Sequence, residues 1–322
     1  MMSIIAATQA ALAGEMRRDP RIWLLGEDLR RGGVFGQYAG FVEEFGPERV
    51  VSTPISEAMI ASVGLGAALA GTRPVVEMRI ADFALCAMDE IVNQIAKVRY
   101  MFGGQARAPL VIRMPHGISR FSAAQHSQCL EAWMAHIPGL TVVAPARADD
   151  AAGLMLSALR ADDPVIFFEP RNIWTEEADV PNIIEATPIG VARSTARGTD
   201  VTVISWSTTS SVAMKAAKIA GEQGISAEVI DLRSLWPWDA DAVVASAERT
   251  GRVVIAQEAV RDFGFGAEVA ATVMERAWRT LKRPVVRIGA PRTPVPYSPP
   301  LEELYRVTPE KIVEAMRMAL AN

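Results

Sequence analysis

The chain has 322 residues, of which 50% are hydrophobic and 22% are charged, and its formal net charge is −4. This is an ordinary globular balance, and neither the charge nor any basic run indicates a nucleic acid or a membrane surface as the partner. The longest apolar stretch, residues 59–71, is too short to span a bilayer, and the N-terminus lacks the basic start of a signal peptide. We therefore expect a cytoplasmic protein.

The first half of the chain alternates short apolar runs with helical patterns from residue 22 onward. Such alternation indicates βαβ units and a mostly parallel sheet. An amphipathic helix is predicted at the N-terminus. The further predicted strands are 22–25, 49–51, 75–78, 110–113, 141–143 and 165–168, and the further predicted helices are 56–70, 84–100, 129–136 and 148–160.

A second alternating set follows an acidic, proline-bounded segment at residues 170–181, which is the best linker candidate. Its predicted strands are 201–205, 227–230, 253–256 and 285–288, and its last predicted helix is 309–320. The sequence thus predicts two open α/β domains, residues 1–180 and 185–322. Cys86 and Cys129 give no disulfide framework, and we expect both to be buried free thiols.

Several familiar site motifs are absent from the sequence. It has no G-x-x-x-x-G-K-[ST] phosphate loop, no H-E-x-x-H motif and no G-x-S-x-G motif. His126 and Cys129 have a spacing that could suit zinc, but no second ligand pair follows at metal-binding spacing. A zinc centre is therefore not expected.

One of the three histidines, His126, stands in the segment Ser122-Ala-Ala-Gln-His-Ser-Gln128, between a predicted strand and a predicted helix. In open α/β sheets such junctions are where ligands bind. On the residues alone, a structural histidine remains the alternative to a catalytic one.

A second junction, Thr53-Pro-Ile-Ser-Glu57, opens a predicted helix. Glu57 would lie in the first turn, where the helix dipole stabilises a carboxylate by about 0.3–1 kcal/mol, so a capping role is one interpretation. The small residues that follow, 63–71, would let another backbone approach closely. That pattern favours a second interpretation, in which the helix start belongs to a binding site.

These motifs together resemble those of a known family. Glu57 and the residues after it resemble the E-x4-(G)-Φ-x-x-G-Φ motif of thiamine diphosphate enzymes, with Ser62 where the bracketed glycine usually stands. Over residues 3–320 the chain is similar to the β subunit of the dehydrogenase component of 2-oxo acid dehydrogenase complexes. The resemblance implies an N-terminal pyrimidine-binding domain and a C-terminal transketolase-like domain. The further matching motifs are Gly26-Glu-Asp28, Arg99-Tyr-Met-Phe-Gly-Gly104, Ala124-Gln-His-Ser-Gln128 and Thr293-Pro-Val-Pro-Tyr-Ser-Pro-Pro-Leu-Glu302.

The resemblance implies roles for residues in the first domain. Glu57 matches the glutamate that hydrogen-bonds the aminopyrimidine ring and so promotes proton loss from the thiazolium carbon. Phe83 matches the aromatic residue beside that ring, and Ile80 and Met78 are candidate wall residues, with ordinary core packing as their alternative. A potassium ion held by backbone carbonyls would correspond to Leu110, Ala158, Leu159, Ala161 and Asp163.

His126 matches the histidine that exchanges protons with the substrate-derived group and assists acyl transfer to a lipoyl group, and Gln125 and Gln128 are expected to orient it. The chain departs from many relatives at His116-Gly-Ile-Ser-Arg-Phe-Ser122, where they have a glycine-rich loop. Within that segment Arg120 is either a partner for a substrate carboxylate or a solvated loop charge.

Pyruvate is the default substrate that the resemblance implies, with acetoin and branched 2-oxo acids as alternatives. The implied assembly contains two α and two β chains, which share thiamine diphosphate with magnesium on the α side, and docks an acyltransferase core through the C-terminal domain. No Gly-Asp-Gly triplet for a diphosphate-bound metal occurs in the sequence. A transketolase-like carboligase half and a non-catalytic docking scaffold remain further alternatives.

Overall fold

The computed structural model describes residues 1–321, and the chain divides into two compact units. The first unit comprises Met1–His116, Trp133–Glu169 and Trp174–Ile189. The second comprises the chain from Gly190 onward together with two pieces of earlier sequence, Gly117–Ala132 and Pro170–Ile173. The loop that carries His126 thus belongs, by its contacts, to the second unit.

The helices and strands follow one another in the predicted α/β order. In residues 1–189 they are β1 (Met2–Ser3), α1 (Ile4–Arg18), β2 (Ile22–Glu27), α2 (Phe41–Phe45), β3 (Val50–Thr53), α3 (Glu57–Leu69), β4 (Arg73–Glu77), α4 (Val98–Met101), β5 (Val111–His116), α5 (Glu131–Ala135), β6 (Thr141–Val143), α6 (Ala148–Arg160), β7 (Val165–Pro170) and β8 (Glu177–Ala178). From residue 190 they are β9 (Arg193–Ala196), β10 (Val201–Ser205), α7 (Ser207–Glu222), β11 (Ala227–Asp231), β12 (Ser234–Trp236), α8 (Ala240–Thr250), β13 (Val253–Val260), α9 (Gly266–Ala277), β14 (Val286–Ala290), α10 (Pro299–Tyr305) and α11 (Pro309–Leu320).

The central sheet of the first unit has the strand order β6-β7-β5-β4-β2-β3. The pairs β2–β3, β2–β4, β4–β5 and β6–β7 are parallel, as predicted. These strands are almost entirely buried, which explains their continuous apolar runs, since a parallel sheet is covered on both faces. Parallel register brings the carboxyl ends of β2, β3 and β4 to one edge of the sheet.

Helices of the first unit pack on this sheet and on one another, and the contacts include a glycine and a buried carboxylate. Helix α3 packs on β4 at Gly64, where an added Cβ would lie 2.4 Å from Cγ2 of Val76. Helices α1 and α6 pack together, and Arg160 of α6 donates two hydrogen bonds to the buried Glu15 of α1, at 2.8 and 2.9 Å.

The predicted continuous helix at residues 84–100 is wrong. The chain there forms a 3-10 segment at Ala81–Ala87, a π-helical turn at Glu90–Ile95 and only then α4. At the break, the turn containing Gly139 packs so closely that an added Cβ would lie 1.8 Å from the carbonyl oxygen of Ala96. This tertiary contact is not encoded in the local pattern.

Two smaller expectations also need correction. Residues 170–181 are not a simple linker, because part of this segment forms β8, which pairs antiparallel with β1. The cysteines are not buried: Cys86 is exposed and Cys129 is half-buried. Both stand in apolar sequence, but Cys86 falls in the 3-10 segment, where the predicted helical face does not exist.

The second unit is built on a five-stranded sheet of order β14-β13-β10-β11-β9. Its neighbouring strands pair in parallel, except that β9 is an antiparallel edge strand. Helices α7 and α11 bury apolar side chains against the sheet, among them Ala216, Ile312 and Met316. Within residues 1–321, no helix combines the length and the hydrophobicity needed to cross a membrane.

Candidate functional site

A pair of carboxylates marks the edge of the first unit's sheet. Register pairs Glu27, the last residue of β2, with Thr53, the last residue of β3. Helix α3 begins at Glu57, only four residues after Thr53. The Glu57 carboxylate is therefore close enough to Glu27 to interact with it electrostatically. The Thr53 hydroxyl is buried and has no hydrogen-bond partner among residues 1–321. This edge therefore presents carboxylates and an unsatisfied hydroxyl, which suits a ligand that donates hydrogen bonds.

The electrostatics of this edge favour the protonated form of Glu27. Burial raises the pKa of Glu27, the charge of Glu57 raises it further, and Arg79 opposes the rise. Glu57 itself is half-buried, and the Ser56 side chain makes no capping hydrogen bond at the start of α3. Glu27 was not among the predicted site residues, because nothing in Gly26-Glu-Asp28 reveals that the glutamate is buried beside a second one.

The predicted ring-binding residues differ in exposure. Phe83 is half-buried and lies on the 3-10 segment Ala81–Ala87, against which α3 packs. Met78 and Ile80 are 0% and 3% exposed. Burial of this degree favours the core-packing alternative for Met78 and Ile80, whereas Phe83 retains accessible surface.

The outer face of α3 is apolar and open. Met59, Val63 and Leu69 are 37%, 42% and 47% exposed. Gly66 lies among them, and an added Cβ there would meet no atom within 4 Å. Large exposed apolar side chains grouped around a glycine are typical of a surface that another chain covers.

The five positions predicted to bind potassium lie around the end of α6 and the start of β5. Two of their carbonyl oxygens already have a cationic partner: Arg73 donates to those of Leu159 and Ala161, at 3.0 and 2.8 Å. Arg99 forms an ion pair with Asp163. The positive charge at this loop is therefore supplied by arginines in the structure described.

His126 lies on an exposed loop of the second unit, as the strand–loop–helix pattern predicted. Its Nδ1 is 2.6 Å from the main-chain carbonyl oxygen of Gln125. A carbonyl can only accept, so Nδ1 must be the protonated nitrogen in this contact. In this tautomer the lone pair lies on Nε2, which is the arrangement that general base catalysis needs.

The backbone of this loop is strained and anchored. Phe121 and Ala123 have φ values of 63° and 54°, which non-glycine residues rarely adopt. Arg171 donates hydrogen bonds to the carbonyl oxygens of Gly117 (3.0 Å) and His126. The anchors hold the histidine in place although its side chain is exposed.

The remaining predicted residues lie on or next to the same loop. The Arg120 guanidinium lies over the exposed Phe121 ring, at 5.1 Å from its centroid, and this contact decides neither of the two interpretations of Arg120. Gln125 contributes its carbonyl to His126, and Gln128 is half-buried. His116 ends β5 in the first unit, buried against Phe168.

Two family models match this chain in sequence order. Residues 1–175 match the pyrimidine binding domain of transketolase, and residues 190–312 match the transketolase C-terminal domain. The class of protein is therefore a transketolase-type α/β chain in which the pyrimidine-binding domain comes first. This confirms the predicted fold class.

Relatives of similar length narrow the class. The chain is 41% identical to the 2-oxoisovalerate dehydrogenase subunit beta of Bacillus subtilis, over 98% of both chains. It is 40% identical to the pyruvate dehydrogenase E1 component subunit beta of Rickettsia felis, over 98% of this chain and 97% of that one. Identity is also 40% to the acetoin:2,6-dichlorophenolindophenol oxidoreductase subunit beta of Bacillus subtilis, over 97% and 95%.

A solved structure of a transketolase has a similar fold. A split-gene transketolase, described as an inactive β4 tetramer, superposes with a TM-score of 0.83 at 27% identity, covering 99% of this chain and 98% of that one. The chain belongs to the family of β subunits of 2-oxo acid and acetoin dehydrogenases, and the predicted resemblance is confirmed.

Proposed function

We propose that this chain is the β subunit of a thiamine diphosphate-dependent dehydrogenase that decarboxylates a 2-oxo acid and transfers the acyl group to a lipoyl group. The observation that carries the proposal is the carboxylate pair of Glu27 and Glu57 at the carboxyl edge of the first sheet. The charge of Glu57 contributes to the raised pKa of Glu27, so the two carboxyl groups are close enough to interact, and interacting carboxyl groups can share and pass on a proton.

The residues at this edge fit the aminopyrimidine half of thiamine diphosphate. When bound, that cofactor supplies a thiazolium carbon that stabilises the carbanion left by decarboxylation. Glu57 would hold a proton at its carboxyl oxygen and donate it in a hydrogen bond to a ring nitrogen of the pyrimidine. Glu27 would keep that proton available because its own pKa is raised, and Phe83 would provide an aromatic wall.

In the second unit, His126 would move a proton during acyl transfer. Its Nδ1 donates to the carbonyl oxygen of Gln125, so Nε2 would be the atom that accepts and returns the proton. Gln128 would help to orient the ring, and Arg120 is proposed to pair with the substrate carboxylate. The exposure of the loop suits a step in which a lipoyl group on another protein must reach the site.

The chain carries no Gly-Asp-Gly triplet with which a diphosphate-bound magnesium ion could be held. A second polypeptide, the α subunit, would provide that half of the site, in an assembly of two α and two β chains. The open apolar face of α3 around Gly66 is the surface that we assign to it. A potassium ion at the Leu110, Ala158, Leu159, Ala161 and Asp163 carbonyls stays a prediction.

Pyruvate remains the default substrate, with branched 2-oxo acids and acetoin as alternatives, since relatives named for all three are equally similar. The C-terminal domain is proposed to dock the acyltransferase core, as the similarity to dehydrogenase β subunits implies. Protection of residues 185–322 from hydrogen exchange on adding the core would support this docking, and protection confined to the first domain would contradict it.

Reconstitution with the cognate α subunit tests the proposed activity. The assembled protein, given thiamine diphosphate and magnesium, should reduce an artificial electron acceptor with one of the three substrates and not with the others. A non-catalytic scaffold would retain docking without turnover. Transfer of a two-carbon unit to a sugar phosphate, with no 2-oxo acid oxidation, would favour the transketolase-like alternative.

A further inference from the structure

Glu258 lies where several parts of the second unit meet. It stands near the carboxyl end of β13, and its side chain is buried. Its Oε1 accepts hydrogen bonds from the N–H of Ile118 at 3.3 Å and from the amide of Asn172 at 3.4 Å. The same oxygen lies 3.8 Å from a guanidinium nitrogen of Arg306. This carboxyl group thus joins the start of the His126 loop to a sheet strand and to the end of α10.

The neighbours of Glu258 bind the same loop a second time. Arg306 donates to the carbonyl oxygen of Ile118 at 3.1 Å, so both main-chain polar groups of Ile118 are bound by this ion pair. Arg171, next to Asn172, donates to the carbonyl oxygens of Gly117 and His126. The loop is therefore held at its first two residues and again at the histidine.

Gly117 brings the loop backbone against the carboxyl group itself. Its φ is 91°, and an added Cβ would lie 2.7 Å from Oε2 of Glu258. Only glycine fits both the left-handed backbone and the close approach. The path of the loop thus depends on where Glu258 holds its side chain.

We propose that Glu258 is a positioning residue that sets the placement of the loop carrying His126, through Gly117 and Ile118. This inference rests on the proposed role of His126 in acyl transfer. Glu258 acts on the main chain of the loop and does not contact the reacting atoms.

The charge of Glu258 should modulate this hold near neutral pH. Burial raises its pKa to about 7 against the attraction of Arg306, and the buried Glu131 carboxyl adds to the rise. Tyr305, the other titratable neighbour, stays neutral because burial raises its pKa to about 12. Above pH 7 the ionised carboxylate binds Ile118 and Arg306 most strongly, and below pH 7 the protonated group binds them less.

The test uses the assembly of this chain with its α subunit, in three forms: wild type, Glu258→Gln and Glu228→Gln. Glu228 is a matched control, since it is also a buried glutamate of the second unit but binds Ser246 and Arg249 instead of the loop. Hydrogen exchange of the Ile118 amide, corrected for intrinsic rates, is followed from pH 6 to 8. The kcat and KM for the 2-oxo acid are measured on the same samples.

In wild type, protection of the Ile118 amide should rise about fivefold across this range, because a carboxylate is a stronger acceptor than a neutral carboxyl group. In Glu258→Gln, protection should stay at the low-pH level throughout. We expect kcat to fall about tenfold with KM within about twofold, the pattern of a displaced catalytic group. Glu228→Gln should keep the wild-type profile.

Normal kcat in Glu258→Gln, with or without altered protection, would overturn the proposal. If that variant fails to fold, Gly117→Ala tests the same contact from the loop side and should give the same fall in kcat at constant KM; a normal kcat there overturns it equally. Absence of turnover in the wild-type assembly would instead reject the proposed function, while a pH-independent Ile118 protection would by itself reject the Glu258 contact.

Discussion

Gly64 and Val76 approach each other so closely that position 64 has no room for a side chain: an added Cβ would lie 2.4 Å from Cγ2 of Val76. Two residues further along α3, Gly66 faces outward, and a Cβ there would touch nothing within 4 Å. Glycine thus occupies these two positions of one motif for different physical reasons. The first lets α3 pack on β4, and the second leaves the outer face of the helix open.

Alanine substitutions at these two positions should therefore have opposite effects on the isolated chain. Gly64→Ala should lower the free energy of unfolding by about 1–3 kcal/mol, because the methyl group overpacks the contact with Val76. Gly66→Ala should raise it by about 0.5–1 kcal/mol, because alanine favours an exposed helix interior. Denaturant unfolding of both variants measures the difference.

Gly66→Ala should impair assembly with the α subunit, although it stabilises the isolated chain. Gly66→Ala should weaken association at least tenfold, since a methyl group would hold the partner backbone away from α3. Sedimentation of mixtures at several concentrations gives the affinity. Unchanged association of this stabilised variant would contradict the assignment of the α3 face to the α subunit.

Glu57→Gln removes a carboxyl group without changing its size. Hydrogen–deuterium exchange at the thiazolium carbon of the cofactor in the assembly should slow by about two to four orders of magnitude, the usual range for a lost proton-transfer group. NMR of quenched samples reports the exchange. The exposed Glu48 provides the control Glu48→Gln, and exchange at the wild-type rate in Glu57→Gln would leave Glu57 as a helix-start residue only.

His126→Ala should leave folding intact because the ring is exposed on its loop. Turnover of the complete complex should fall by about two to four orders of magnitude, whereas the melting temperature should stay near the wild-type value. His136 is also exposed, so His136→Ala is a matched control that should turn over normally. Equal activities of the two variants would reject the role assigned to His126.

Glu15 offers a stability test with a defined pH dependence. Burial would raise the pKa of this carboxyl, but hydrogen bonds from Arg160 and Arg18 outweigh burial and lower it from 4.5 to about 2. A lowered folded-state pKa means that the stabilisation is present above about pH 4.5 and is lost as the pH falls towards 2. Glu15→Gln should therefore lower the free energy of unfolding by about 1–2 kcal/mol at pH 7 and by much less at pH 3.

The surface pair of Arg17 with Glu44 is the control for this test, since both side chains are largely exposed. Glu44→Gln should leave the melting temperature nearly unchanged at either pH. A loss in Glu15→Gln that is the same at pH 3 and pH 7 would show that packing, and not the ion pairs, accounts for the effect.

Local sequence signals are sufficient to predict the bounds of an element where the hydrophobic periodicity and the signals for the ends of the element agree. Helices α6 and α11 and strand β10 have the predicted bounds. Helix α11 shows why: Thr308 caps it, accepting a hydrogen bond from the Lys311 N–H, and Pro309 occupies its first position. Residues 84–100 lack any breaker, and the close approach of the Gly139 turn to the Ala96 carbonyl oxygen is a tertiary contact that the local pattern does not show.

The prediction of the candidate site from sequence has the same limit. The sequence predicts Glu57 and His126 as site residues from motifs in which spacing and residue type carry the signal. Glu27 and Glu258 were missed, because their chemistry depends on burial and on neighbours that strand register or long loops bring together. A glutamate at the end of an apolar strand is the available sequence signal, and both residues have it.

Calorimetry with the cofactor and magnesium tests whether this chain holds only half of a thiamine diphosphate site. The isolated chain should show no binding in the micromolar range, and micromolar or tighter binding should appear on adding the cognate α subunit. Micromolar binding by the isolated chain would mean that the diphosphate site lies within these residues, and it would contradict the shared-site account.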